Sequence, residues 1–168
     1  IDHIPGCAEL GDFDPTSTSI AVSPGDELQN LPPAQVQRTF ERYFSHFLER
    51  RDGKLAWESY TPYELRNVGT LIRLGHKKLA LEALDFFLAD QRPAGWNQWA
   101  EIVWKDPRKP AFIGDMPHTW VGSGYIRSLR SLFAYEREAD RALVLAAGLA
   151  RSWVDTAPGV AVERLSTD

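Results

Sequence analysis

The stretch TPYELRNVGTLIRLGHKKLALEALDFFLAD, from Thr61 to Asp90, decides the fold class. Leu65, Val68, Leu71 and Ile72 recur every three or four residues, which predicts a helix with one apolar face. Thr61-Pro62-Tyr63-Glu64 ahead of it has the pattern of a capping box, in which hydroxyl and carboxylate each meet a free backbone donor, with proline at the first helical position. Gly75 is placed to take the left-handed conformation that ends a helix, and from His76 the spacing resumes through Leu79, Ala80, Ala83, Leu84, Phe87 and Leu88. The pair therefore reads as a helical hairpin with a very tight turn. Leu81 and Phe86 lie off the second helix's stripe, so that helix is expected to be covered on two sides.

Upstream, Val36, Phe40, Tyr43, Phe44, Phe47 and Leu48 predict an amphipathic helix from Pro33 to about Asp52-Gly53, with proline in its first turn and glycine at its exit. Residues 1 to 32 are rich in Gly, Pro, Ser, Thr and Asp and read as ordered loop. Downstream, residues 91 to 117 lack periodicity but hold Trp96, Trp99 and Trp104, half of the six tryptophans, a density that points to a functional loop. His118 to about Arg137 is again helical in spacing. Ala142 to Trp153 reads either as helix or as a strand Ala142–Leu145 with a turn at Gly148. The strand is preferred, paired antiparallel with the alternating run Val160, Val162, Leu165. The fold class expected is mainly α, with a short C-terminal β-hairpin.

Across 168 residues, 43% hydrophobic and 25% charged residues describe a globular chain of about one domain. No apolar run approaches the roughly 20 residues of a membrane span. A formal charge of −4 argues against a nucleic-acid module, and the first 37 residues carry six carboxylates with no Lys or Arg. Cys7 is single, so it has no internal disulfide partner and no zinc set around it. The first residue, isoleucine, and the strand-like last residues lead us to expect a piece of a longer polypeptide.

Phosphate-binding glycine loops, His-Glu-x-x-His and calcium loops do not occur, and Gly122-Ser123-Gly124 lacks the flanks of a nucleophile elbow, so its glycines are read as helix-packing positions. No cofactor or metal set is expected. What remains is carboxylates and aromatics in loops at helix ends, the combination glycoside chemistry uses: two carboxyl groups for acid and base, and flat rings for sugar faces. The first cluster is Asp12 and Asp14 with Glu9 and Phe13, where Asp14 before Pro15 equally reads as an Asx turn. The second is Trp57-Glu58, whose carboxylate equally suits the nearby helix amino terminus. The third is Trp96-Asn97-Gln98-Trp99-Ala100-Glu101, an edge apolar on one side and polar on the other. The fourth is Asp115-Met116-Pro117-His118-Thr119-Trp120, where Asp115 equally reads as a helix cap and His118 as a partner of a loop carbonyl.

Gly11-Asp12-Phe13-Asp14-Pro15-Thr16-Ser17-Thr18-Ser19-Ile20-Ala21, Trp96 to Glu101 and Asp115 to Ser123 together resemble the C-terminal part of bacterial six-hairpin glycosidase-like proteins, related to the alpha-L-rhamnosidase group. The resemblance spans roughly residues 9 to 165. It implies that residues 1–140 are helical hairpins of a partial (α/α)6 toroid with long loops, and that 141–168 begin an accessory β region. It also implies that His118-Thr119-Trp120 opens a late barrel helix facing the sugar. Glu101 is then the first candidate for a catalytic carboxylate and Asp14 and Glu58 compete for the second role. Asp12, Trp57, Trp96, Trp99, Asp115, His118 and Trp120 are the candidate substrate contacts. Such barrels imply inversion, with carboxyls about 6.5–9.5 Å apart. The expected partners are a carbohydrate and either the rest of the polypeptide or a second copy covering the open helix faces. A non-catalytic helical interaction or carbohydrate-binding module is the competing reading.

Overall fold

The computed structural model describes residues 2–108 and 114–167. It is mainly helical, 48% helix and 7% strand, with two small antiparallel hairpins. Six helices are described: α1 (Pro15–Val22), α2 (Pro33–Arg51), α3 (Leu65–Arg73), α4 (Lys77–Ala89), α5 (Thr119–Phe133) and α6 (Arg151–Asp155). Four strands, β1 (Ser59–Tyr60), β2 (Val103–Trp104), β3 (Ala134–Arg137) and β4 (Ala142–Leu145), pair as β1–β2 and β3–β4. No described helix is long and apolar enough to cross a membrane.

The predicted hairpin is α3 and α4, and Gly75 sits between them at φ +80°. α3 is the hub, packed against α5, α4 and α1. Its Gly69 allows α5 to come close: Ser128 Oγ accepts from the Gly69 amide at 3.2 Å and donates to the Leu65 carbonyl at 2.6 Å. Phe40, Phe47, Leu65, Leu71, Leu84, Phe87 and Leu132 are fully buried around this centre. On α4, Phe86 lies off the main stripe and meets Phe47 edge-on at 5.2 Å, so a second side is covered, whereas Leu88 is exposed.

The capping tetrad departs from its expected form. The Thr61 hydroxyl accepts from the Tyr63 amide at 3.3 Å, but Glu64 turns into the core. There its carboxylate accepts two bonds from Arg50 at 2.7 and 2.8 Å and one from the Tyr43 hydroxyl at 2.9 Å. A buried guanidinium on α2 competes for that carboxylate more strongly than a backbone amide does. Burial disfavours the charged form of Arg50, yet the Glu64 bonds outweigh it and raise its pKa; burial, and then the Glu64 charge, push the Tyr43 phenol well up.

Two further expectations are corrected. Residues 15–22 are helix, not loop: Asp14 Oδ1 accepts from the Thr16 and Ser17 amides at 3.0 and 3.2 Å, and the Thr16 and Ser17 hydroxyls also donate to its carboxylate. Ser19 then bonds Asn67 on α3 at 2.5 Å. At the other end, Ala142–Leu145 is a strand, but its partner is Ala134–Arg137, which the spacing assigns to the preceding helix. The described residues 156–167 form no strand. A partner only a short turn away closes a smaller loop at lower entropic cost than one across α6, and Arg130 ties β3 to α5 by pairing with Glu136. Strand rather than helix therefore forms at Ala142–Leu145, and helix begins only at Arg151, as the short α6.

Candidate functional site

The β1–β2 pair brings the tryptophan loop onto the start of α3. Tyr60 faces Val103 in the register, and just beyond it the Thr61 hydroxyl donates to the Glu101 carbonyl at 2.7 Å. The amide of His118, at the head of α5, donates to the Trp99 carbonyl at 2.8 Å. These two bonds lock the 99–101 segment between α3 and α5. Gly114 completes the enclosure: at φ +67° it lies so close to Glu101 that a Cβ there would overlap that side chain.

Glu101, Asp115 and His118 thus converge, with one oxygen or nitrogen from each within 4.8 Å of the others. His118 Nδ1 lies 2.8 Å from Asp115 Oδ1, and Nε2 lies 2.5 Å from the Tyr63 hydroxyl. All three groups are satisfied when the phenol donates to Nε2 and Nδ1–H donates to the carboxylate. Burial raises the Tyr63 pKa, and the Glu101 and Asp115 charges raise it further against the opposing influence of Arg66, so the phenol keeps its proton at neutral pH. Among the described residues the Glu101 carboxylate has no hydrogen-bond partner. Three such ligands suit a divalent cation in type, but both imidazole nitrogens are already engaged and coordination requires one of those bonds to break.

Arg66 links this cluster to a groove. Its guanidinium lies over the Tyr63 ring at 4.2 Å, and it lines a cavity of about 280 Å³ between α1 and α5, with Trp120 on the rim. A wider depression of about 840 Å³ holds Trp99, His118 and Ile126, and Ser123 and Arg127 line both. Trp120 is 68% exposed, while Trp99 is buried against Tyr125 at 5.4 Å. Gly124 packs on Arg66, as a helix-packing glycine should; a Cβ at Gly122 would meet nothing.

The remaining sequence candidates sit elsewhere. Asp14 is occupied by the α1 cap, and its charge reaches Arg66 without forming an ion pair. Asp12 accepts from the Cys7 amide at 2.7 Å and organises the preceding loop. Glu58 is exposed, and with half-buried Trp57 it lines a separate depression of about 630 Å³ shared with Trp104 and Lys105. Trp96 is 63% exposed and outside the described cavities. Asp115 makes no cap: α5 begins at Thr119 with no side-chain capping bond. Tyr63 and Arg66 are the residues that sequence reasoning missed. Both lie within the stretch read as capping box and helix, and only the contact of Arg66 with Gly124 on α5 and of Tyr63 with Arg66 and His118 marks them. Comparison of the chain with protein-family models, with curated proteins and with solved structures finds no match.

Proposed function

We propose that this chain forms one wall of a glycoside-binding cleft, as a segment of an α/α ring of helical hairpins, and that Glu101 acts there on a glycosidic bond. The observation that carries the reading is the meeting of Glu101, Asp115 and His118 from two separated stretches, with the exposed indole of Trp120 two residues after His118. Glycoside hydrolysis needs two carboxyl groups at one bond and a platform for the ring. Glu101, unengaged and half-buried, delivers a proton to the leaving oxygen as the bond to the anomeric carbon breaks. The Glu101 and Asp115 oxygens lie within 4.8 Å of each other, closer than the about 6.5–9.5 Å that inversion requires, so Asp115 forms the new bond to that carbon as the leaving group departs, and water deprotonated by Glu101 then displaces Asp115. His118, held by Tyr63 and Asp115, and Trp120 position the sugar. Asp115 is a better placed second carboxylate than Asp14, which four donors already occupy.

The test is turnover of a panel of chromogenic glycosides by the longest polypeptide containing these residues, with Glu101→Gln beside it. Loss of roughly 100-fold or more in kcat with binding retained is expected of a general acid. Unchanged turnover removes Glu101 from the chemistry. Saccharide binding without turnover in the parent protein would leave the non-catalytic carbohydrate-binding reading, which the exposure of Trp96 and Trp120 favours.

A further inference from the structure

The groove between α1 and α5 presents an unusual balance of charge. Arg66 and Arg127 both line it, and the arginine behind its floor, Arg73, donates to Ser131 Oγ at 2.7 Å. Among the described residues, none of these three guanidiniums has a carboxylate at ion-pair distance. Arg73 also keeps a buried Nε with no partner. Seven other arginines and two histidines find carboxylates, so acids are not short; Arg38, Arg42, Arg141 and Arg164 also lack one among the described residues, and what sets the groove apart is that its arginines are gathered around one cavity.

Removing a guanidinium from water without an anion is unfavourable, and Arg66 is half-buried. Its stem is fixed against Gly124 and its flat face against Tyr63, which leaves the N–H edge as the free part. An edge held in this way suits a planar, bidentate oxyanion. Ser128 and Ser131 spend their hydroxyls on the backbone, while Ser23 and Ser123 remain at the rim. Trp120 supplies an open indole face on the same rim, and the cavity of about 280 Å³ has the size of a single ring with its substituents.

We infer that this groove is an anionic-sugar subsite: Arg66 and Arg127 take the carboxylate of a uronic acid whose ring lies on Trp120. The sugar ring rests on the glycoside reading above, whereas the anion preference stands on the unpaired arginines. Through Tyr63, which touches both Arg66 and His118, the bound carboxylate is placed next to the Glu101 cluster.

Calorimetric titration tests it with glucuronate, galacturonate and mannuronate oligomers, each against its neutral counterpart, and with sodium sulfate. At least one uronate is expected to bind roughly tenfold or more tightly than its neutral counterpart. That advantage should disappear in Arg66→Gln and shrink in the surface variant Arg127→Gln, and it should weaken with added salt. Equal binding of charged and neutral oligomers would overturn the subsite while leaving the glycoside reading standing. Binding of sulfate as tight as that of every uronate would overturn the sugar and leave a bare anion site. No binding of any oligomer would overturn both. Near-ultraviolet circular dichroism of each variant separates loss of contact from loss of fold.

Discussion

The buried Arg50–Glu64–Tyr43 group gives the sharpest stability test. The side chains of Arg50 and Glu64 are 6% and 9% exposed, and two parallel bonds at 2.7 and 2.8 Å join them. Truncating Glu64 to alanine leaves a guanidinium enclosed among Phe47 and Tyr60, whose rings it faces at 5.9 and 4.6 Å, with no anion to offset its desolvation. Removal of one partner of such a pair costs about 3–5 kcal/mol. The Tyr43 hydroxyl loses its acceptor as well. With a urea slope of roughly 2 kcal/mol/M, a loss of about 4 kcal/mol lowers the unfolding midpoint by about 2 M. Replacing both, as Arg50→Met with Glu64→Leu, removes charge and partner together and should recover most of the loss, because no orphaned ion remains. The assay is urea unfolding followed by tryptophan fluorescence for both singles and the double. Singles costing under about 1 kcal/mol, the size of an exposed ion pair, would refute the claim that this pair is a desolvated core element.

Further predictions concern the cap, a close contact and the site. Asp14→Ala should cost about 1 kcal/mol through loss of the α1 cap. Burial pushes the Asp14 pKa up, but the Ser17 and Thr16 donors outweigh it and hold the carboxyl below the usual aspartate range, so its stabilisation is present above the unfolded pKa and lost as pH falls through the lower folded value. Acid unfolding of Asp14→Asn should accordingly show a shallower pH dependence below about pH 4 than that of the parent. Gly148→Ala places a Cβ at 2.4 Å from Leu132 Cδ2 and 2.7 Å from its Cα, and should destabilise by roughly 1–3 kcal/mol in thermal unfolding. Tyr63→Phe removes the donor to His118 Nε2 while keeping the ring under Arg66, so the His118 imidazole resonances should shift in nitrogen-detected NMR while unfolding stability changes little.

Much of the helical frame was legible because its signals are local. The three-and-four spacing of α2, α3 and α4 and the left-handed Gly75 need no tertiary information. α1 was hidden because Pro-Thr-Ser-Thr-Ser-Ile-Ala-Val has almost no apolar stripe and poor helix formers; its cap and the Ser19–Asn67 bond hold it instead. The end of α5 was misplaced because Ala134 to Arg137 continue a helix-like composition, and only pairing with β4 makes them strand. In the candidate site, the Asp115-x-x-His118 spacing and the nearby Glu101 could be read from the chain. Their joining to Tyr63 and Arg66 depends on α5 crossing α3 at Gly69, a contact between residues about sixty positions apart.

A crystal structure of the protein soaked with a uronate oligomer is the most direct test of the cleft. The oligomer should lie against the Trp120 indole, with its carboxylate on Arg66 and a glycosidic oxygen within hydrogen-bond distance of Glu101. Density for the sugar only in the depression of Trp57, Glu58 and Trp104, with Glu101 and Trp120 untouched, would contradict it.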